Sequence, residues 1–320
     1  MNDTNGTKCS MDFEISKTMR ISVFSLVVSL GLPLNCMAAW VLFFQVRMKN
    51  VLSIYMINMV AANLLQIFMI PFWIHYTYLG HRWVLGKEAC IAVGFLFSTN
   101  LYAKIAFLCL IAKERYFHIA FPLRCHGLGT VGVAVKTSLI AWAVTVFFCS
   151  MGSHFLSEGE EETQLCHEGY PSSPKYALFK MATMFFSFFG PIGLIGFFYV
   201  SILCKVRQVR NLETKKQVYG CILLTMVTFF VVFLPYQATT FYKNLLESGK
   251  DDLDLCGKEV ALFLFSEISL CLMTLGDILD PVLYILFIKS TRDEFVASCK
   301  CLCSSHQELA TSQGMFINST

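Results

Sequence analysis

With 56% hydrophobic residues, 15% charged residues and 30 Phe among 320 residues, the chain is too apolar for an ordinary soluble domain. A formal net charge of +3, spread over short loops and not gathered into a patch, excludes a nucleic-acid partner, and a polytopic membrane protein remains. Most of the 14 cysteines fall inside apolar runs, where a thiol serves as a small hydrophobe and not as part of a disulfide scaffold.

Residues 1–20 form a polar amino-terminal segment without the charged-then-apolar pattern of a cleaved leader, so the first helix is expected to act as its own insertion signal. Asn2 and Asn5 each open a glycosylation sequon if this end is extracellular. Seven apolar runs of spanning length follow: Ile21 to Val46, Val51 to Tyr78, Ala89 to Arg115, Val133 to Met151, Tyr176 to Val206, Val218 to Phe241 and Val260 to Phe287. They predict an all-α, seven-transmembrane-helix bundle over residues 21–289. Arg47, Lys49, Arg124, Lys136, Lys205, Arg207, Arg210, Lys215, Lys216, Lys289 and Arg292 fall on one parity of loops, which places that face in the cytosol and the amino terminus outside. Lys17, Arg20 and Arg82 run against this bias locally. Prolines 33, 71, 191, 235 and 281 interrupt five of the seven runs and free backbone carbonyls that neighbours must satisfy. Residues 290–303 read as a short cytosolic amphipathic helix ending in Cys299, Cys301 and Cys303, candidates for palmitoylation beside membrane lipids, and residues 304–320 as a cytosolic tail.

Within the apolar runs the polar residues carry the chemistry. Lys104 lies in the middle of the third run, where a bilayer does not tolerate an unpaired charge. Its eleven steps to Arg115 return it to nearly the same helix face, about 16 Å deeper, so it points into the bundle. Asp277 and Asp280, three apart on the seventh run, share a face that can meet it. Glu114 and Arg115 close the third run as an acid and a base that an opening bundle could separate. Four of the seven histidines, His75, His81, His154 and His167, fall at outer helix ends or loops, near Glu168 and Glu267. Histidine's ordinary pKa near 6.5 makes these the candidate proton sensors. No nucleophile, base and orienter stand together, and no cofactor or metal cluster is expected. A transporter or channel remains as an alternative class, against which stand the lack of repeated halves and of a ring of pore charges.

Asn35 in the first run, Glu114-Arg115-Tyr116 in the third, Trp142 in the fourth, Pro191 and Tyr199 in the fifth, Phe233-Leu234-Pro235-Tyr236 in the sixth and Asp280-Pro281-Val282-Leu283-Tyr284 in the seventh give the chain a close resemblance to rhodopsin-class G-protein-coupled receptors. Within that class, Gly31-Leu32-Pro33-Leu34-Asn35-Cys36, Pro71-Phe72-Trp73, His81-Arg82-Trp83 and Ile105-Ala106-Phe107-Leu108-Cys109 resemble the proton-sensing subfamily and its lysophospholipid- and oxidised-fatty-acid-linked member. The resemblance implies a plasma-membrane receptor coupled to a heterotrimeric G protein and to arrestin. Protons would be the leading stimulus, with a lysophospholipid or oxidised fatty acid as a second agonist. A lipid or nucleotide receptor indifferent to pH is the rival within the class.

The resemblance also assigns roles. Cys90 would pair with Cys166 over the bundle mouth, and Cys9 with Cys256. Arg115 would be held by Glu114 at rest and line the G-protein cleft once released, with Tyr116, Tyr199, Phe233, Pro235 and Tyr284 in the activation switch. Asn35, Asn63, Lys104, Asp277 and Asp280 would form a buried polar core in which the Lys104 ammonium stands in for the sodium ion of other members, held by Asp280 and secondarily by Asp277. This chain departs from the pattern in having Asn63 in place of an aspartate, Glu267 in place of a histidine, no acid at Thr145, and Phe233 in place of a tryptophan.

Overall fold

A computed structural model describes residues 13–45, 50–120, 130–159, 166, 174–206, 219–220, 222, 225–248 and 255–287. The first span is a helix, α1 (Phe13–Leu26), that passes through a π-helical turn (Val27–Gly31) into α2 (Leu32–Trp40) and a second π-helical turn (Val41–Gln45). Then come α3 (Val51–Tyr78), α4 (Lys87–Ala120), α5 (Val131–Gly159) and α6 (Pro174–Val206). The sixth span contains a π-helical turn (Thr228–Phe233) leading into α7 (Leu234–Ser248), and α8 (Leu255–Phe287) is the seventh. Among the described residues six helices are long and apolar enough to cross a membrane, and none of the regular structure is strand. Leu139, Ile140 and Phe147 of α5 and Phe186 and Phe197 of α6 are more than half exposed, as side chains facing lipid would be.

The prolines explain much of the local geometry. Pro33 and Pro235 each follow a π-helical turn, and the carbonyls four residues before them, of Ser29 and Val231, lie inside those turns. A proline ring clashes with that carbonyl in a regular helix, and the wider turn relieves the clash. Pro281 solves the same problem differently. It stays inside α8 and cannot bond the Asp277 carbonyl, which instead accepts from Asn35 Nδ2 of α2 at 2.7 Å. One missing backbone bond thereby ties the first span to the seventh.

At the centre, α4 packs against α3, α5 and α6. Its inward face, Leu101, Ile105, Phe107, Leu108, Ile111 and Ala112, joins Met59 and Val60 of α3, Tyr199 and Ile202 of α6 and Phe229 and Phe233 of the sixth span in one buried cluster. A second cluster at the other end gathers Phe24, Ile67, Ile70, Trp73, Tyr76, Val93 and the Cys90–Cys166 disulfide. Trp142 donates to Asn58 across the α3–α5 contact at 2.8 Å. The amphipathic segment 290–303, with Cys299, Cys301 and Cys303, lies outside the described residues, as do Cys9, Asn2 and Asn5.

Candidate functional site

The end of α3 fixes the first element of the site. Leu79 caps the helix, and Gly80 follows at φ +68°, its N–H donating to the Thr77 carbonyl at 3.1 Å. His81 at φ +60° donates its N–H to the Tyr76 carbonyl at 3.1 Å. This pair of bonds is the Schellman arrangement, in which glycine takes the left-handed position and the next residue folds back on the helix. His81 accepts a conformation uncommon for a side-chain-bearing residue, and its ring is thereby laid against Tyr76, 5.2 Å between centroids. Across the bundle it meets Phe263 of α8 at 6.2 Å, and it is buried.

One turn below Phe263 on the same face of α8 lies Glu267, 5% exposed, whose Oε1 receives the Arg20 guanidinium of α1 at 3.3 Å. Arg20, 2% exposed, also stands over the rings of Trp73 at 5.5 Å and Phe24 at 5.6 Å. A planar guanidinium suits both contacts at once, stacking on rings while its edge donates to a carboxylate. Tyr236 of α7 lies within electrostatic range of both charges and is T-stacked on Phe97 of α4 at 6.1 Å. Five spans therefore converge here around one ion pair.

The second polar site lies ten residues further along α8. Lys104 Nζ makes an ion pair with Asp277 and donates to Gln66 Oε1 at 3.0 Å, and Asn100 Nδ2 donates to the same Gln66 oxygen. Asn63 Nδ2 donates to Asn35 Oδ1 at 3.1 Å, and Asn35 donates in turn to the Asp277 carbonyl, so the network closes on itself. All of these side chains are almost wholly buried. The expected order of the two acids is reversed: the ammonium's ion pair is with Asp277, while Asp280 lies beside it, near Asn63. Three residues on a helix turn through about 300°, so only one of the two carboxylates can meet the lysine head-on. These residues do not fit a free sodium ion, because the lysine ammonium already occupies the carboxylate such an ion would need.

At the far end of α4 no ion pair joins Glu114 to Arg115 among the described residues, contrary to expectation. Neighbours in sequence point about 100° apart on a helix and do not face each other. Arg115 Nε is buried without a hydrogen-bond partner. Tyr116 packs on Phe198 of α6 at 5.3 Å. Tyr199 and Phe233 are fully buried, and Pro235 follows the π-helical turn of the sixth span. Tyr284 belongs to the last turns of α8, and its side chain lies outside the described residues, as does that of Cys256, which falls in the first turn of α8 and not in a preceding loop.

The candidate histidines are not gathered together. His75 and His154 are exposed, His154 beside Phe155 on α5, and His167 and Glu168 lie outside the described residues. The Cys90–Cys166 disulfide is present. Sequence reasoning missed Arg20, Gln66 and Asn100. Spacing signals two of these: Gln66 lies three residues after Asn63, and Asn100 four before Lys104, so each repeats a polar residue on one face of an apolar run.

A model of the seven-transmembrane receptors of the rhodopsin family matches residues 34–284. The chain belongs to that family. It is 29% identical to G-protein coupled receptor 68 of Homo sapiens over 94% of this chain and 82% of the relative, and 29% identical to Probable G-protein coupled receptor 132 of Mus musculus over 89% of this chain and 75% of the relative. Lysophosphatidic acid receptor 6 of Gallus gallus is 28% identical over 90% of this chain and 96% of the relative. This receptor is a multi-pass membrane protein that couples a ligand to a heterotrimeric G protein and is not an enzyme.

Proposed function

We propose that protons reaching the disulfide-bearing end of the bundle are the receptor's stimulus. That end is read as the extracellular one, because a disulfide persists in an oxidising compartment and the basic loops lie at the other end. The observation that carries the reading is the buried His81 ring on Phe263, one turn from the Arg20–Glu267 pair. An imidazole is neutral above its ordinary pKa of about 6.5 and cationic below it. In this reading a proton taken up at this end adds a cation to the region of the Arg20–Glu267 pair and favours an arrangement of α1, α3 and α8 in which Glu267 is shared between the two cations. Lys17 on α1, His75, Tyr78 and Arg82 around the end of α3, Lys87 and Glu88 at the start of α4, and Tyr236 on α7 are among the other titratable groups at this end.

A lysophospholipid or oxidised fatty acid is the second reading. Arg20 favours it, as a buried guanidinium able to take an anionic head group if Glu267 releases it. At the cytosolic end, Arg115, Tyr116, Tyr199, Phe233, Pro235 and Tyr284 form the coupling surface and switch in this reading, with arrestin as a further partner, and Cys299, Cys301 and Cys303 carry palmitate. Glycans on Asn2 and Asn5 and a Cys9–Cys256 bond complete the outer face.

G-protein dissociation in transfected cells, titrated from alkaline to acid medium with and without lysolipid, tests the proposal. The expected result is a response that rises as pH falls through the histidine range and is blunted in His81→Phe. A flat pH response beside a saturable lipid response overturns it in favour of the second reading.

A further inference from the structure

The mid-bundle network meets the sixth span closely at a glycine. Gly276 precedes Asp277 on α8, and a Cβ built on it would stand 2.8 Å from Val232 Cγ1, inside the π-helical turn that leads to Pro235. Val232 is buried, and as a β-branched residue it has little freedom at χ1 to step aside. The backbone of α8 is thus seated against the hinge of the sixth span at the residue next to the one that Lys104 holds. Asp277 is fixed from two sides, its side chain by Lys104 of α4 and its carbonyl by Asn35 of α2. A shift of α8 at this level has to break both or carry both helices with it.

We propose that Lys104 and Asp277 form the resting-state latch of this receptor: a cation covalently attached to α4 draws α8 inward, and α8, through Gly276, holds the π-helical turn of the sixth span in place. Being tethered, this counter-ion cannot dissociate, so the resting state is independent of sodium in the medium. The network retains buried acceptors without a hydrogen-bond partner, Asp277 Oδ2, Asn63 Oδ1 and Asn100 Oδ1. Removing the ammonium therefore leaves a buried carboxylate and unpartnered amide oxygens in one network, chemistry suited to a free monovalent cation. The inference concerns basal activity and holds whichever stimulus acts at the outer end.

The test uses full-length receptor in cells and in purified form, with basal G-protein activation normalised to surface receptor, and sodium chloride exchanged for choline chloride at constant ionic strength. The parent is expected to show no sodium dependence. Lys104→Met and Asp277→Asn should each raise basal signalling, on the order of tenfold, and the double variant should fall back toward the parent, because the two side chains act as one unit. Lys104→Met should acquire sodium dependence that the double variant lacks, a readout that loss of packing alone would not produce. Gly276→Ala, which leaves the ion pair intact, should raise basal signalling by crowding Val232. Should the single variants fail to reach the surface, the double variant and Gly276→Ala carry the test. Sodium dependence in the parent, a double variant as active as the singles, or unchanged basal signalling in Gly276→Ala would each overturn the latch.

Discussion

Arg20–Glu267 and Lys104–Asp277 both join a cation from a neighbouring helix to an acid of α8, about 15 Å apart along its axis, yet their surroundings differ in kind. The outer pair is ringed by aromatic side chains, and Phe263, one turn from Glu267, carries the His81 imidazole against it. The inner pair is ringed by amides, Gln66, Asn100, Asn63 and Asn35, which do not titrate, with Asp280 as its one acidic neighbour among the described residues. An arginine keeps its proton at any physiological pH, so the medium can reach the outer pair only through the acid or through a competing cation. The outer pair is therefore built to be disturbed and the inner one to be held. α8 carries an acid of each pair and is therefore one element through which the two sites are joined.

The largest expected break in this comparison is in stability. Leaving Asp277 buried without its lysine should cost about 3 to 5 kcal/mol, read as a fall in the melting temperature of purified Lys104→Met receptor. Arg20→Met should cost less, about 1 to 3 kcal/mol, since Glu267 is nearer the membrane surface and can recruit water. Next comes pH dependence. Glu267→Gln removes the outer pair without acid, so signalling in alkaline medium should rise several-fold and the dependence on pH should flatten, as measured by G-protein dissociation. Equal pH curves for this variant and the parent would detach the outer pair from gating.

A smaller effect separates the histidines. His81→Phe keeps the packing on Tyr76 and Phe263 and should blunt the response to acid without lowering surface expression. His75→Gln and His154→Gln, both at exposed positions, should leave that response nearly unchanged. Smallest are two neutral hydrogen bonds. Asn35→Ala leaves the Asp277 carbonyl without a donor and should lower stability by about 1 to 2 kcal/mol, whereas Trp142→Phe loses one interhelical bond worth about 0.6 kcal/mol. Circular dichroism melts in one detergent rank the two.

The spans were readable from the chain because a hydrocarbon core demands long apolar runs and tolerates few exceptions. Lys104 stood out for the same reason, as a charge where none is cheap. Its choice of Asp277 over Asp280 was not readable, since it depends on how α8 is rotated at Pro281, and that rotation is set by packing against α2 and the sixth span. Arg20 was unreadable for the opposite reason. Near the end of an apolar run a basic residue ordinarily reaches for the headgroups, and only the fold shows that it turns inward over Phe24 and Trp73. His81 was visible as a histidine at a helix end. Its burial follows from Gly80, whose left-handed backbone folds the chain back, a local signal that was present in the sequence and went unused.

The disulfide that closes over the outer cluster also sets an order of events during synthesis. Cys90, in the first turn of α4, precedes Cys166 by 76 residues, a stretch that holds the rest of α4 and the whole of α5. At about 5 to 20 residues per second, Cys90 waits roughly 4 to 15 s for its partner to be made. α3 is complete when that interval opens and the rest of α4 is made within it, so Gln66 and Lys104 can find each other while the outer end is still a free thiol. Asp277 arrives later still, and the bond joins a pair of helices whose polar contact has had time to form before the acid that completes it exists.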